Sequence, residues 1–198
     1  MAKAEPSSFR WICTGDQAFA DMLDAIDAAK TSIRLEMYIV HTSAIAEKFR
    51  AALVNACQRG VRVQVLVDAL GSITLSDDFW TILKSSGGEF RWFNRVTLFR
   101  FGTRDHRKIL VCDDAVAFVG GFNIAAEYEG DGVTKGWRDL GLKICGPLAK
   151  SLAAACDEMF AVADGGQKIF ARLRKPVTKN KAVESPEAEL LLSTPSGK

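Results

Sequence analysis

The chain has 198 residues, 48% of them hydrophobic, and a formal net charge of +2. That suits one domain with an ample core, or one domain plus a tail, and excludes a strongly basic nucleic-acid binder. The charge is uneven: residues 167–198 hold seven Lys/Arg against three Glu, and the rest holds nineteen basic against twenty-one acidic residues.

The start, "MAKAEPSSFRW", lacks an apolar h-region, so no signal peptide is expected. No run approaches the ~18 apolar residues of a membrane span. "GDQAFADMLDAIDAAKTS" predicts a helix: Phe19, Met22, Leu23 and Ile26 fall at helical spacing, with Asp16 as N-cap. "SIRLEMYIV" alternates, with Ile33, Leu35, Met37 and Ile39 on one face and Arg34, Glu36 and Tyr38 on the other, as in a half-buried strand. A second helix runs through "SAIAEKFRAALVNACQRG" and stops at Gly60, followed by the strand "VRVQVLVDALGS". A strand, a helical crossover and a strand make a βαβ unit, the grammar of a parallel sheet.

"SDDFWTILKSSGG" predicts a shorter helix and "EFRWFN" a strand, and 94–105 lacks a clean period. "FRWFNRVTLFRFGTR" interleaves aromatics with arginines; its readings are a half-buried strand with its loop, or a surface for anionic lipid or single-stranded nucleic acid. "KILVCDDAVAFVGG" reads as a β-hairpin turning tightly at Asp113-Asp114, "WRDLGLKICG" as a strand, and Pro147 as the first turn of the helix "PLAKSLAAACDEMFAVA". From Gln167 the chain is basic, then polar with three prolines, and only "AELLLS" there looks ordered. The domains expected are 1–165 and a linker, 166–198. The five cysteines, 13, 57, 112, 145 and 156, have no CxxC spacing and read as free thiols in a reducing compartment.

One of only two histidines stands at the mouth of the hairpin, in "DHRKILVCDD". On a strand His106 and Lys108, two apart, share a face. The hairpin folds its outer ends together, bringing Gly120, Gly121 and Asn123 to the same sheet edge. An ammonium, a carboxamide and an imidazole beside glycines suit a phosphate: charge, NH donors, a nucleophile or proton shuttle, and room for the backbone to approach. No His/Cys cluster has ligand spacing, so metal-free chemistry without a cofactor is expected. His41, in "VHTSA", reads as a loop or cap residue.

His106-x-Lys108-(x)4-Asp113, six residues, then Gly120-Gly121-x-Asn123 resembles the HKD signature of the phospholipase D superfamily. Residues 11–165 resemble the amino-terminal half of bacterial cardiolipin synthases, and "AELLLSTPSGK" resembles the run leading into their second half. The resemblance implies an α/β fold: a phospholipase D-like mixed, mostly parallel sheet with helices on both faces. It implies a phosphatidyltransferase or phosphodiesterase acting through phosphohistidine, with His106 as nucleophile and Lys108 and Asn123 on the phosphate oxygens. Asp139 would orient His106, as a carboxylate on one imidazole nitrogen fixes the tautomer. Asp113 belongs to the signature, and its place at the turn predicts structural bonding. Glu36 and Tyr38 would line the pocket rim, with Gly120 and Gly121 beside the substrate; many members carry serine at the position of Gly121.

The family pairs two HKD motifs and this sequence has one. The second is expected from another copy, as a homodimer, or from a carboxy-terminal half. The implied substrate is phosphatidylglycerol-like phospholipid, met peripherally at the cytoplasmic face of a membrane. Two other readings follow from the single motif: a homodimeric, metal-independent nuclease, and a non-catalytic half-domain.

Overall fold

The computed structural model describes residues 6–95, 104–164, 184–185 and 188–189. Seven strands form one sheet: β1 (Ser8–Ile12), β2 (Ser32–Met37), β3 (Arg62–Asp68), β4 (Glu89–Phe93), β5 (Lys108–Cys112), β6 (Val116–Gly120) and β7 (Gly141–Cys145). Their spatial order is β1-β7-β6-β5-β2-β3-β4. The helices are α1 (Gly15–Ala28), α2 (Ala44–Gln58), α3 (Thr81–Ser85) and α4 (Pro147–Asp164). A two-residue pair, β8 (Glu184–Ser185) with β9 (Ala188–Glu189), is all that is described of the expected linker and its "AELLLS" run.

The sheet is mixed, but "mostly parallel" needs correction. Only β2–β3 and β3–β4 are parallel; β1–β7, β7–β6, β6–β5 and β5–β2 are antiparallel. Each parallel junction needs a helical crossover, which α2 and α3 supply. The short Asp113-Asp114 turn forces β5 and β6 antiparallel, and β1, an edge strand without clean alternation, closes on β7.

Helices cover both faces. On one, α1 and α2 pack Phe19, Met22, Ile26, Phe49 and Leu53 against Ile33, Leu35, Met37 and Leu110. On the other, Leu148, Ala149, Leu152 and Cys156 of α4 pack against Ile109, Val111 and Ile144. All six residues of β2 are therefore buried, Arg34 and Glu36 included. This corrects the half-exposed polar face expected of that strand. Arg34 is satisfied by Asp157 of α4, at 2.7 and 2.9 Å, and by Asp114 at 2.7 Å.

Helix α1 is capped by Thr14, whose hydroxyl accepts from the Gln17 amide at 3.2 Å, not by Asp16. Asp16 lies in the first turn, where its carboxylate accepts from the Gly130 amide at 2.7 Å. Where it is described, the aromatic–arginine stretch is a half-buried strand and its exit: Trp92 and Phe93 are buried, Phe90 and Arg91 half-buried, and Arg95 exposed. Phe90 stacks on Trp80 at 5.4 Å and meets Trp92 edge-on at 5.0 Å. Arg91 lies over the Phe160 ring. Residues 96–103 lie outside the described residues.

The β5–β6 turn holds Asp113 and Asp114 at φ 54° and 55°, the left-handed conformation of a primed hairpin turn. Asp113 also ties the hairpin to β2. Its carboxylate accepts from the amides of Lys30 (2.8 Å), Thr31 (2.7 Å) and Ser32 (3.0 Å) and from the Thr31 hydroxyl (2.8 Å). Burial opposes ionisation, but these donors outweigh it and hold the carboxyl at about 2.

Asp113→Ala is expected to cost about 2–3 kcal/mol, the range for bonds to a charged acceptor. Because the folded-state pKa is depressed, this stability is present above the ordinary carboxylate value of about 4 and is lost as pH falls towards about 2. Denaturant unfolding at pH 7 and pH 2 checks it: the gap between wild type and variant should close at the lower pH.

Candidate active site

The candidate site forms where β2 ends and β5 begins. Antiparallel pairing sets Met37 opposite Lys108, so the chain leaving β2 meets the chain entering β5. His106 is not on the strand, as the sequence had implied, but two residues before it. Its side chain is exposed, and its ring leans on Tyr38 with centroids 4.4 Å apart. Gly71 makes room for Tyr38: a Cβ there would lie 2.3 Å from the Tyr38 carbonyl and 2.8 Å from its ring. Tyr38 thus packs between His106 and Gly71.

Lys108 points to the face of α1 and α2. Its stem lies over a small apolar cavity lined by Met37, Phe118 and Phe122. Its ammonium donates to the His106 carbonyl at 2.8 Å and sits 4.8 Å from the Tyr38 ring centroid. Desolvation lowers its pKa to about 8, against the opposing fields of Asp139, Asp105 and Asp68. The charge survives at neutral pH because those carboxylates partly offset the dry surroundings.

Asp139 precedes β7 and reaches the site from the other side. Its carboxylate fills the space over Gly121, where a Cβ would lie 1.9 Å from Oδ1. A Cβ at this position would require the Asp139 carboxylate to shift. Over Gly120 the backbone of Leu140 and Gly141 approaches in the same way, with a Cβ only 2.5 Å from the Leu140 carbonyl. The close approach that the two glycines allow is thus taken up by the protein's own chain. Asp139 accepts from the Leu140 amide at 2.7 Å, and no hydrogen bond to His106 is present among the described residues.

Asn123 is 2% exposed and its carboxamide is committed inside the protein. Its oxygen accepts from the Ile39 amide at 3.0 Å. Its nitrogen donates to the Tyr128 hydroxyl at 2.7 Å and reaches the Gly121 carbonyl at 3.5 Å. As placed, it clamps the exit of β2 to the turn at 126–128, and a phosphate would reach its nitrogen only in exchange for one of these bonds. Asp113 lies at the far end of β5, away from His106.

Glu36 is the clearest correction. It is 1% exposed and lies on the α4 face, hydrogen-bonded to Arg107, not on the pocket rim. Strand alternation puts it opposite Met37, and α4 covers what looked like a solvent face. His41 is a loop residue: its carbonyl accepts from the Ser43 hydroxyl, which caps α2, and its ring is 3.6 Å from Glu127.

The sequence reading passed over Asp68, Asp105 and Arg107. Asp68 is fully buried at the end of β3. It accepts from the amides of Leu70, Gly71 and Asp105, each at 2.9 Å. Its signal was there to see: an aspartate closing an apolar strand, in "VLVDALGS", needs partners. Among the described residues no cluster of three His, Cys, Asp or Glu is placed to hold a metal ion.

Known proteins resemble this chain in sequence and in fold. Residues 22–129 match the family described as cardiolipin synthase, PLD-like domain. Cardiolipin synthase B of Salmonella typhi is 36% identical over 156 residues, covering 75% of this chain and 37% of that protein. Cardiolipin synthase 1 of Bacillus anthracis is 34% identical over 172 residues, covering 84% and 34%. The chain thus spans about a third of the length of the curated relatives it matches. Among solved structures, the phospholipase D family member Nuc from Salmonella typhimurium superposes with TM-score 0.58 at 24% identity, covering 78% of this chain and 95% of that one. Phosphatidylserine synthase from Haemophilus influenzae Rd KW20 gives TM-score 0.60 at 19% identity, covering 76% and 36%. With more than half its residues inside the family match, the chain belongs to the phospholipase D-like domain family of cardiolipin synthases.

Proposed function

We propose that this chain carries one half of a phosphatidyl-transfer site, with His106 as the nucleophile. The observation that carries the reading is the exposed His106 ring, held on Tyr38, beside a buried ammonium whose carboxylate neighbours keep it charged.

A His106 nitrogen attacks the phosphorus of a phosphatidylglycerol-like lipid. A P–N bond forms, the P–O bond to glycerol breaks, and an acid on the second half protonates the leaving alkoxide. A hydroxyl of another lipid then gives its proton to that group, attacks phosphorus and breaks the P–N bond. Water in place of the lipid gives hydrolysis. Lys108 neutralises the non-bridging oxygens, and the dry floor beneath it strengthens that interaction. Asp139 supports the positive charge that develops on the imidazole, and Asn123 with Tyr128 fixes the wall. In this reading residues 1–165 are the catalytic half and 166–198 a basic and polar linker. A second HKD half-site comes from another chain or a carboxy-terminal half. The reading places the protein peripherally, at the cytoplasmic face of a membrane; no helix among the described residues is long and apolar enough to cross one.

A second reading has one observation of its own. The chain covers 95% of Nuc and 96% of NucT from Helicobacter pylori, but only 37% of cardiolipin synthase B from Salmonella typhi. With one HKD motif in this sequence, two copies would complete the site of a homodimeric phosphodiesterase that cuts nucleic acid. A half-domain that folds without turning over is the third.

Phosphatidylglycerol turnover in mixed micelles and plasmid nicking, both in EDTA, separate the first two readings. His106→Ala is expected to abolish whichever activity is present; an active H106A variant overturns the mechanism. Inactivity in both assays, with a monomeric mass by light scattering, leaves the half-domain.

Lys108→Met keeps the stem and removes the charge. It is expected to lower kcat/KM by ~10²–10³, the scale of one lost electrostatic contact to the transition state. In the wild type kcat/KM should fall as pH rises through about 8, because the ammonium then loses its proton. A profile that stays flat through that range, or a K108M variant with full activity, removes Lys108 from the site.

A further inference from the structure

His106 stands outside the regular strand, and its side chain is exposed. The direction of its ring is therefore set by its backbone and by Tyr38. That backbone is clamped on every side the structure describes. The Asp105 amide donates to Asp68 at 2.9 Å, the Arg107 amide to the Asp105 carboxylate at 3.3 Å, and the His106 carbonyl accepts from Lys108 at 2.8 Å. The clamp depends on a polar cluster packed under α4.

Three carboxylates lie in that cluster, Glu36, Asp68 and Asp105, with exposures of 1%, 0% and 3%. Two guanidinium groups face them. Arg107 bonds Glu36 and lies 3.5 Å from Asp105, and Arg104 lies 3.5 Å from Asp68. Fully ionised, the cluster holds one negative charge too many for a dry site. Its pairing is also incomplete: Glu36 Oε2 and Asp105 Oδ2 are buried and neither receives a hydrogen bond, and Arg107 Nη2 is buried without an acceptor. The surrounding groups do not supply the difference. Cys156 faces Glu36 from α4; burial keeps its thiol protonated, so it brings Glu36 a weak S–H donor but no charge. Arg34 is spent on Asp157 and Asp114. Lys108 feels Asp105 and Asp68 but directs its ammonium to the His106 carbonyl.

We propose that Glu36 and Asp105 share one proton, and that the neutral cluster so formed is the brace that positions His106. One proton turns two orphan acceptors into an O–H···O bond and balances the charge in the same step. Burial, with Asp105 as neighbour, pushes the Glu36 carboxyl well above its ordinary value, in the direction this requires. The shared proton stands whether or not His106 attacks phosphorus; only the name nucleophile rests on the proposed function.

Glu36→Gln tests it. The glutamine amide can donate to Asp105 where the proton stood, and its oxygen can accept from Arg107. A carboxyl whose pKa is raised on folding contributes stability that is complete below its unfolded pKa and lost as pH rises towards the folded one. From pH 5 upward until the folded-state pKa is reached, the unfolding constant of the wild type relative to E36Q is therefore expected to rise by about tenfold per pH unit, the linkage of one proton. A ratio independent of pH shows Glu36 ionised in the folded protein and overturns the proposal. An infrared difference spectrum at pH 7 gives an independent reading: the wild type should show a protonated-carboxyl band that E36Q lacks, and its absence is equally fatal. Positioning is read on the His106 imidazole signals, assigned among two histidines by H106A. E36Q should leave their chemical shifts in place. Glu36→Ala or, where that variant is unfolded, Glu36→Met should move or broaden them. Unmoved signals in the folded variant remove the brace. None of these measurements needs turnover, so an inactive chain does not blur them.

Discussion

The structure depends on β2 being buried on both faces. It is the strand where the parallel half of the sheet meets the antiparallel half, with β3 on one side and β5 on the other. Burial on the α1 and α2 face is ordinary hydrophobic packing through Ile33, Leu35 and Met37. Burial on the α4 face takes Arg34 and Glu36 out of water, and an unpaired charge there would cost several kcal/mol, on the order of 3–5. Both are paired, Arg34 with two aspartates and Glu36 with Arg107. Those pairs bind the segment before β5 and the turn after it to the same strand, so β2 fixes both ends of β5.

That arrangement gives the two neighbours of one peptide opposite duties. Arg107 and Lys108 are adjacent, so strand geometry sends them to opposite faces. Arg107 goes under α4, into the polar cluster. Lys108 goes over the apolar floor of the other face. His106, just outside the strand, is thus flanked by an anchor and by a candidate ligand for phosphate. Placing both duties on one side would have put a guanidinium beside the ammonium and weakened each charge through the other.

Much of this was legible in the sequence. The alternation at 33–39, the stop at Gly60, the acidic hairpin turn and the proline opening α4 each marked an element through its own local chemistry. The failures share a cause. Period-two alternation says which residues of β2 share a face, but not whether a distant helix covers the second face. α4 begins more than a hundred residues later, and it converted Glu36 from a rim residue to a core one. The parallel share of the sheet was overestimated for the same reason: β5–β6–β7 and the edge strand β1 are set by tertiary pairing. The HKD pattern named residues that the fold gathers near one sheet edge, yet it did not show that Asn123 is spent on Tyr128 or that Asp139 fills the space over Gly121. Those facts belong to residues that meet only in the fold.

The glycines show how the fold decides between two uses of one motif. A Gly-Gly pair at a sheet edge permits close approach, and a ligand phosphate is one candidate for the vacancy. Here the chain entering β7 takes it, with the Leu140 carbonyl above Gly120 and the Asp139 carboxylate above Gly121. A carboxylate in that place repels a second anion but attracts a cation, and Lys108 is the cation whose charge it supports. The small residues therefore act at one remove: they admit Asp139, Asp139 helps keep Lys108 protonated in a desolvated site, and the charged lysine is the group suited to meet phosphate. A side chain at position 121 would displace the carboxylate first and lower the lysine pKa second, so the packing of a backbone controls the charge of the site.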